Sequence, residues 1–429
     1  MVRARGLGVL MAATLLPFAL ACGSTGGGGG GTASTCKPDS VSYVPAGGSA
    51  VAAAVAPRLG AIRAQMPPMA TNTVIKIGFI GILSGQYKDY GVDEQYGVQL
   101  AIEAANQAGI TVNGTSYTLQ LDSQDDAADA TKGAQGATKL VDDKVVAVIG
   151  GTFSTATIAE SKIFSDNGIT QISPSATNDK YTSQGFKTAF RVVGHDNQQG
   201  GADSAFMVKT LGCKNVGVID DKSSYGQGLA DNVAKAIPLD GGTVVDREHV
   251  DKDQTDFSAQ LTAIKGHNPE IIFFGGYSPQ LGPMISQARR QGIKATFVSG
   301  DGSHNETLFK LAGNAALGTF TSDAGPDPTL QPGYKDFEAK YKAKFNVGIF
   351  QYSPQAFDAA NIIINAIKKA GPDKAGILKA VGETDNYQGV AQIYSFTSTG
   401  DVKLSIFTIY KVTGAYPYKA VKAVTLNVT

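Results

Sequence analysis

The chain reads as an α/β protein of two lobes, each a parallel sheet flanked by helices, and three observations predict this. From Val74 onward, short apolar runs alternate with amphipathic helical patterns, the signature of a βαβ series. After Arg191-Val192-Val193-Gly194 the same rhythm starts again, so a second lobe repeats the first in style. The 429 residues, 42% hydrophobic and only 17% charged, are enough to bury two substantial cores.

The elements follow in order. Arg3 and Arg5, the apolar run Leu7 to Ala21 and then Cys22 form a secretory signal over 1–21, too short for a stable membrane span. Ala19-Leu20-Ala21-Cys22 resembles the cleavage box of bacterial lipoproteins, which makes Cys22 the expected lipidation site and the chain an exported, lipid-anchored one; ordinary signal cleavage is the alternative. The mature chain would then have 429 − 21 = 408 residues and, with two arginines gone, a net charge of −2 in place of 0. Gly23 to Thr35, with its six consecutive glycines, reads as a flexible tether, and Cys36 to Thr73, rich in Ala, Pro and Gly, as an extended or disordered extension, so that 22–73 is all linker. The glycine run lacks the Gly-Lys-Ser/Thr ending and the preceding strand of a phosphate loop.

Strands are expected at Val74 to Leu83, Tyr117 to Leu121, Val145 to Ile149 and Gly168 to Ser173, with helices at Tyr96 to Gln107 and Ala128 to Val141. The second series runs helix Gly201 to Leu211, strand Val216 to Ile219, helix Gly226 to Ile237, strand Thr243 to His249, helix Phe257 to Lys265, strand Ile271 to Phe274, helix Leu281 to Gln291 and strand Thr296 to Ser299. Gly325-Pro326-Asp327-Pro328 breaks the series. Helical patterns follow at Tyr334 to Phe345, Ser353 to Ala370 and Lys374 to Val381, then strand patterns at Val390 to Phe396 and Leu404 to Val412. A chain that fills one lobe, then the other, then returns gives lobes at 74–194 plus 325–395 and 195–324 plus 396–429, joined by several connections that act as a hinge.

Two strands run straight into hydroxyl-rich turns. Thr152, Ser154 and Thr155 stand where a helix should begin after Ile149, and Pro174, Ser175, Ala176 and Thr177 follow Ser173. Free N–H groups at a helix start attract carboxylates, and ligands of open α/β sheets sit along the carboxyl edge, so the stretch reads as a clamp for an amino-acid head group. Helix capping is the plainer role for each hydroxyl.

Gly78 to Gly91, Gly150 to Thr177, Asp220 to Gly228 and Phe273 to Gln280 together resemble, in order and spacing, the branched-chain amino-acid binding proteins of ABC importers. The resemblance spans about Val74 to Val412 and implies the type I periplasmic binding fold, two lobes closing on a ligand. It places Ser154, with its hydroxyl and N–H, on the ligand carboxylate and Ser175 and Thr177 on the head group. Asp301 falls where the family carries an acid for the ligand ammonium, as an aspartate where glutamate is usual, with an Asp-Gly turn as its plainer role. Tyr90, Tyr225 and Tyr277 match aromatic cleft positions, and Phe153 and Phe350 are expected to line the side-chain pocket, with Tyr87 a possible addition.

The expected partners are a small amino acid, branched-chain by preference, the membrane subunits of an ABC permease, and the membrane through the lipid anchor. An amide, a urea-like compound or an aromatic acid is the alternative ligand, and sensing the alternative role. A monomer is expected. Neutral charge without a basic patch argues against nucleic acid. No nucleophile with an adjacent base and no Gly-x-Ser-x-Gly elbow occurs, so no catalysis and no cofactor are expected. His195, His249, His267 and His304 are scattered without ligand spacing, so no metal is expected and each reads as a surface or loop residue. Asp125-Asp126 and Asp142-Asp143 read as solvated surface. A bridge between Cys36 and Cys213 is possible but weakly supported.

Overall fold

A computed structural model describes residues 35–41 and 73–427; the expected signal, the lipidation site Cys22 and most of the linker lie outside the described residues. The first sheet holds β1 (Thr73–Gly81), β2 (Ile110–Val112), β3 (Thr115–Asp125), β4 (Ala147–Gly150), β5 (Thr170–Ser173) and β6 (Ala189–Arg191). Its order is β2-β3-β1-β4-β5-β6, parallel except for β2. Its helices are α1 (Lys88–Ala108), α2 (Ala130–Asp142), α3 (Ser154–Asp166) and the short α4 (Lys180–Ser183).

The chain then enters α5 (Asp196–Ala205), which ends in a π turn at Phe206–Thr210, and continues through β7 (Asn215–Asp220), α6 (Ser224–Leu239), β8 (Thr243–His249), α7 (Ser258–Gly266), β9 (Ile271–Gly275), α8 (Ser278–Arg290), β10 (Thr296–Ser299), α9 (Glu306–Ala312) and β11 (Phe320–Asp323). It returns to the first sheet with α10 (Tyr334–Phe345), α11 (Ser353–Ala370) and α12 (Lys374–Gly382). The two-residue strands β12 (Tyr387–Gln388) and β13 (Ile393–Tyr394) pair with each other before β14 (Leu404–Lys411) and β15 (Lys419–Asn427). The second sheet runs β15-β14-β11-β10-β9-β7-β8, with β14 and β15 antiparallel.

Three crossings link the two sheets: β6 to α5, β11 to α10, and β13 to β14. They lie side by side, since Gly194 N–H donates to the Ala324 carbonyl at 2.9 Å and Arg191 N–H to Gly400 at 3.0 Å. On the first sheet, α1 and α11 come close because Gly97 has no side chain. A Cβ there would stand 2.3 Å from the Ser353 carbonyl oxygen.

Most predicted elements appear within a few residues of their expected ends. The expected strand at Val390 to Phe396 does not form as one. The buried Asp358 carboxylate accepts the amides of Val390 and Ala391, both at 2.8 Å, and the Tyr394 hydroxyl at 2.9 Å, so those amides are unavailable to a ladder. The helix expected from Tyr96 begins at Lys88, because the buried acids Asp93 and Glu94 interrupt its apolar period. Strands β2, β6, β11 and β15 carried no expectation.

Cys36 and Cys213 are joined by a disulfide. Around it, Lys37 N–H donates to the Leu211 carbonyl at 2.8 Å, the Thr35 hydroxyl to the Gly212 carbonyl at 2.9 Å, and Lys411 Nζ lies 3.1 Å from Asp39. Residues 35–41 are thereby fastened to the second half of the molecule.

Candidate functional site

The carboxyl ends of β4 and β5 build one wall of the site. After β4 the backbone turns through Gly150 (φ 123°) and Gly151 (φ 42°), and a Cβ on Gly150 would lie 1.9 Å from the Ile80 carbonyl oxygen, so only glycine fits. Helix α3 then starts at Ser154 without a side-chain cap, because the N-cap residue is Phe153. The Ser154 and Thr155 amides therefore meet no protein acceptor among the described residues. The Ser154 hydroxyl accepts the Asn178 amide at 3.3 Å.

Behind this wall stands Glu94, fully buried on α1. It accepts the Thr152 hydroxyl at 2.7 Å and the Ser175 hydroxyl at 2.6 Å, and Ser175 Oγ also lies 2.7 Å from the Thr152 carbonyl. Burial pushes the Glu94 carboxyl up to about 8, against the pull of the Ser175 and Thr152 hydroxyls, with Asp93 and Asp126 adding repulsion. A carboxyl that folding drives toward its neutral form destabilises the fold increasingly as pH rises from the ordinary glutamate range through about 8. Glu94→Gln is therefore expected to raise the melting temperature at pH 8 and above, with the advantage shrinking to nothing near pH 4.5, as a thermal-unfolding series across pH would show.

Asp301 forms the opposite wall, in the turn after β10. Its carboxyl is 2% exposed and accepts the Tyr225 hydroxyl at 2.9 Å and the Tyr352 hydroxyl, while Gln351 Nε2 donates to its carbonyl at 2.7 Å. Burial pushes its pKa up, and the hydroxyls of Tyr352 and Tyr225 pull it back in part.

Aromatic rings fill the space between the walls. Phe153 and Tyr277 stack at 3.8 Å, Tyr90 meets Phe153 edge-on at 5.2 Å, and Tyr225 lies 5.2 Å from Tyr277. The Tyr90 hydroxyl crosses between the halves to donate to the Gly302 carbonyl at 2.7 Å. The remaining inner cavity is only about 10 Å³, room for roughly one water. Outside the Phe153–Tyr277 stack lies a larger chamber of about 470 Å³, bordered by Tyr87, Thr155, Asp221 and Ser224. The stacked pair is a partition between the two.

Tyr90, Phe153, Ser154, Ser175, Tyr225, Tyr277 and Asp301 thus share one cavity. Phe350 packs edge-on against Tyr90 at 5.0 Å but does not face the cavity. Thr177 is buried beside it, its carbonyl accepting the Asp196 amide at 2.9 Å, and does not line it either. Thr152, from the hydroxyl-rich turn that the sequence marks, lines the cavity together with Tyr352, and Glu94 braces it; the last two are not among the site residues the sequence points to. An acid interrupting the apolar face of α1 was the available signal for Glu94.

Other expectations need correction. Asp126 is fully buried, not solvated, with burial holding it up at about 7 beside the equally buried Glu160. His304 is 4% exposed, not a surface residue, and burial pushes it down to about 3, so it stays neutral. No group of three or more His, Cys, Asp or Glu side chains is placed to hold a metal among the described residues.

Two sheets joined by three crossings, with a buried cavity between donor-rich strand ends on one side and an acid on the other, define a two-lobed small-molecule binding protein. The periplasmic binding protein family model matches residues 74–414, and the chain belongs to that family. It is 35% identical over 335 residues to the Leu/Ile/Val-binding protein homolog 1 of Brucella suis, covering 77% of this chain and 89% of the relative. It is 32% identical over 347 residues to the leucine-, isoleucine-, valine-, threonine- and alanine-binding protein of Pseudomonas aeruginosa, covering 80% and 91%. Among solved structures it is similar to the branched-chain amino acid transporter substrate binding protein LivJ of Streptococcus pneumoniae in complex with isoleucine. There the identity is 28% and the TM-score 0.74, over 82% of this chain and all of that one. The fold is the type I periplasmic binding fold.

Proposed function

We propose that the chain is the extracytoplasmic substrate-binding component of an ABC importer, which captures a branched-chain amino acid between its lobes and presents it to the permease. One observation carries the ligand assignment: a helix start whose amides, among the described residues, meet no acceptor, and a buried aspartate to which no described cation is paired, face the same cavity. The Ser154 and Thr155 amides, with the Ser154 hydroxyl, take the ligand carboxylate, Asp301 takes its ammonium, and the Thr152 and Ser175 hydroxyls, which donate to Glu94, line the carboxylate end of the cavity. The raised pKa of Glu94 suits this, since a neutral carboxyl does not repel an anion bound in front of it. An apolar ligand side chain parts the Phe153–Tyr277 stack and settles among Tyr90, Phe153 and Tyr277, which requires the lobes to open first. Thr177 and Phe350 support these residues from behind.

The lobes comprise 74–194 plus 325–395 and 195–324 plus 396–429, and they move about the three crossings. The names of the relatives support branched-chain ligands, and the signal and cleavage box support a protein anchored outside the cell membrane through Cys22; a monomer is the state we propose. Binding, without turnover of the ligand, is the whole of the activity. Thermal-shift and calorimetric titration with leucine, isoleucine and valine is expected to show saturable stabilisation, with acetamide, urea and benzoate inert. Stabilisation by benzoate or acetamide alone would discard the amino-acid assignment and keep the fold.

A further inference from the structure

A second cavity, about 400 Å³, lies on the far side of the Asp301–His304 turn from the ligand cleft. Its walls come from both halves of the molecule: Tyr334 on α10 and Pro354 on α11 from one, Asp323, Tyr410 and Tyr416 from the other. The aromatic side is built from tyrosines packed around a neutral imidazole. His304 lies 4.0 Å from Tyr410 and 5.5 Å from Tyr416, and Tyr416 meets Tyr418 edge-on at 5.2 Å.

The polar side is acidic. Glu338 is paired at 2.8 Å with Lys342, the one lysine or arginine of the cavity wall among the described residues, and Glu306 is paired with Lys310. Asp327 is engaged in capping the next turn through Thr329. Asp323 is different: 5% exposed, it accepts only the amide of Ala324, at 2.9 Å, and no donor among the described residues reaches its second oxygen. A buried carboxylate facing an aromatic-walled cavity without a counter-charge is an incomplete arrangement.

We propose that this cavity is a second binding site, for a small organic ammonium ion without a carboxylate, held by Asp323 against the Tyr334, Tyr410 and Tyr416 rings. The charges exclude a zwitterion like the cleft ligand, whose carboxylate would face Asp323, Asp327 and Glu338. They also disfavour a metal, because the acids do not converge. Burial with repulsion from Asp301 and Asp327 holds the Asp323 carboxyl up at about 8, the behaviour of an acid that lacks its cation. Because both halves supply walls, the cavity is whole only while they are together, so the ion favours the closed form.

The test is calorimetric titration of the full chain with tetramethylammonium, alongside its neutral isostere tert-butanol, together with NOEs from the ammonium methyl protons to labelled tyrosine rings. Saturable binding of the cation, no binding of the alcohol, and NOEs to rings of Tyr410 and Tyr416 are expected. Asp323→Asn should weaken binding roughly tenfold or more, and Tyr416→Leu should do so separately should the first variant not fold. Equal binding of tert-butanol would reduce the cavity to an apolar hole. Absence of binding, retention of affinity in the variants, or NOEs confined to Tyr90, Tyr225 and Tyr277 of the cleft would each overturn the assignment.

Discussion

Replacing Asp301 by alanine is expected to weaken leucine binding by roughly a hundredfold to several thousandfold, because a buried ammonium that loses its carboxylate costs about 3–5 kcal/mol. Calorimetry measures the loss directly. Asp301→Asn is the sharper variant, since it keeps the shape and an acceptor for one of the two hydroxyls of Tyr225 and Tyr352 while deleting the charge. It should lose most of the affinity while melting close to the wild type. Affinity should also fall with pH, because protonating Asp301 removes the partner of the ammonium. The raised pKa puts the onset of this loss above the ordinary aspartate range. In Asp301→Asn that dependence should vanish. Unchanged leucine affinity in Asp301→Asn would mean that the ammonium is held elsewhere.

Replacing Asp93 by alanine is expected to be the most destabilising single change near the site. Its buried carboxylate accepts three backbone amides, Phe350 at 2.9 Å, Gln351 at 3.0 Å and Ser353 at 2.7 Å, and the Tyr341 hydroxyl at 2.8 Å. Removing it strands those donors in a region that water scarcely enters. Each unsatisfied buried group costs about 1–3 kcal/mol, so a loss of roughly 3–5 kcal/mol follows even after partial relaxation. The denaturation midpoint in urea should drop while the slope stays constant. Ligand affinity should fall too, since the same loop carries Gln351 and Tyr352, which hold Asp301. A midpoint within experimental error of the wild type would show that water satisfies the loop amides instead.

The sequence made much of this legible, for identifiable reasons. Buried parallel strands such as Val145–Ile149 are uninterrupted apolar runs, and the turns after β4 and β5 announce themselves by hydroxyl residues where a helix must start. Local patterns do not show what distant side chains do to a backbone. Asp358 converts an apolar strand pattern at Val390 into a loop from more than thirty residues away. Asp126 and Glu160 look like surface acids because burial of a carboxyl leaves no local mark outside an apolar helix face. The strands β11 and β15 are short or rich in alanine and lysine, and only their neighbours in the sheet make them strands. Phe350 and Tyr352 alternate along the chain, and the sequence does not reveal that Tyr352 is the ring facing the cavity.

The Cys36–Cys213 bridge closes a covalent ring that contains the whole of the first sheet and the start of the second half. A single cut by a protease between Val41 and Thr73 would open that ring without producing two molecules. The fragment carrying the N-terminus would remain joined at Cys213, and a reducing gel rather than a non-reducing one would be needed to see the nick. A force applied to that fragment would therefore be borne by the second half through Cys213 rather than by β1.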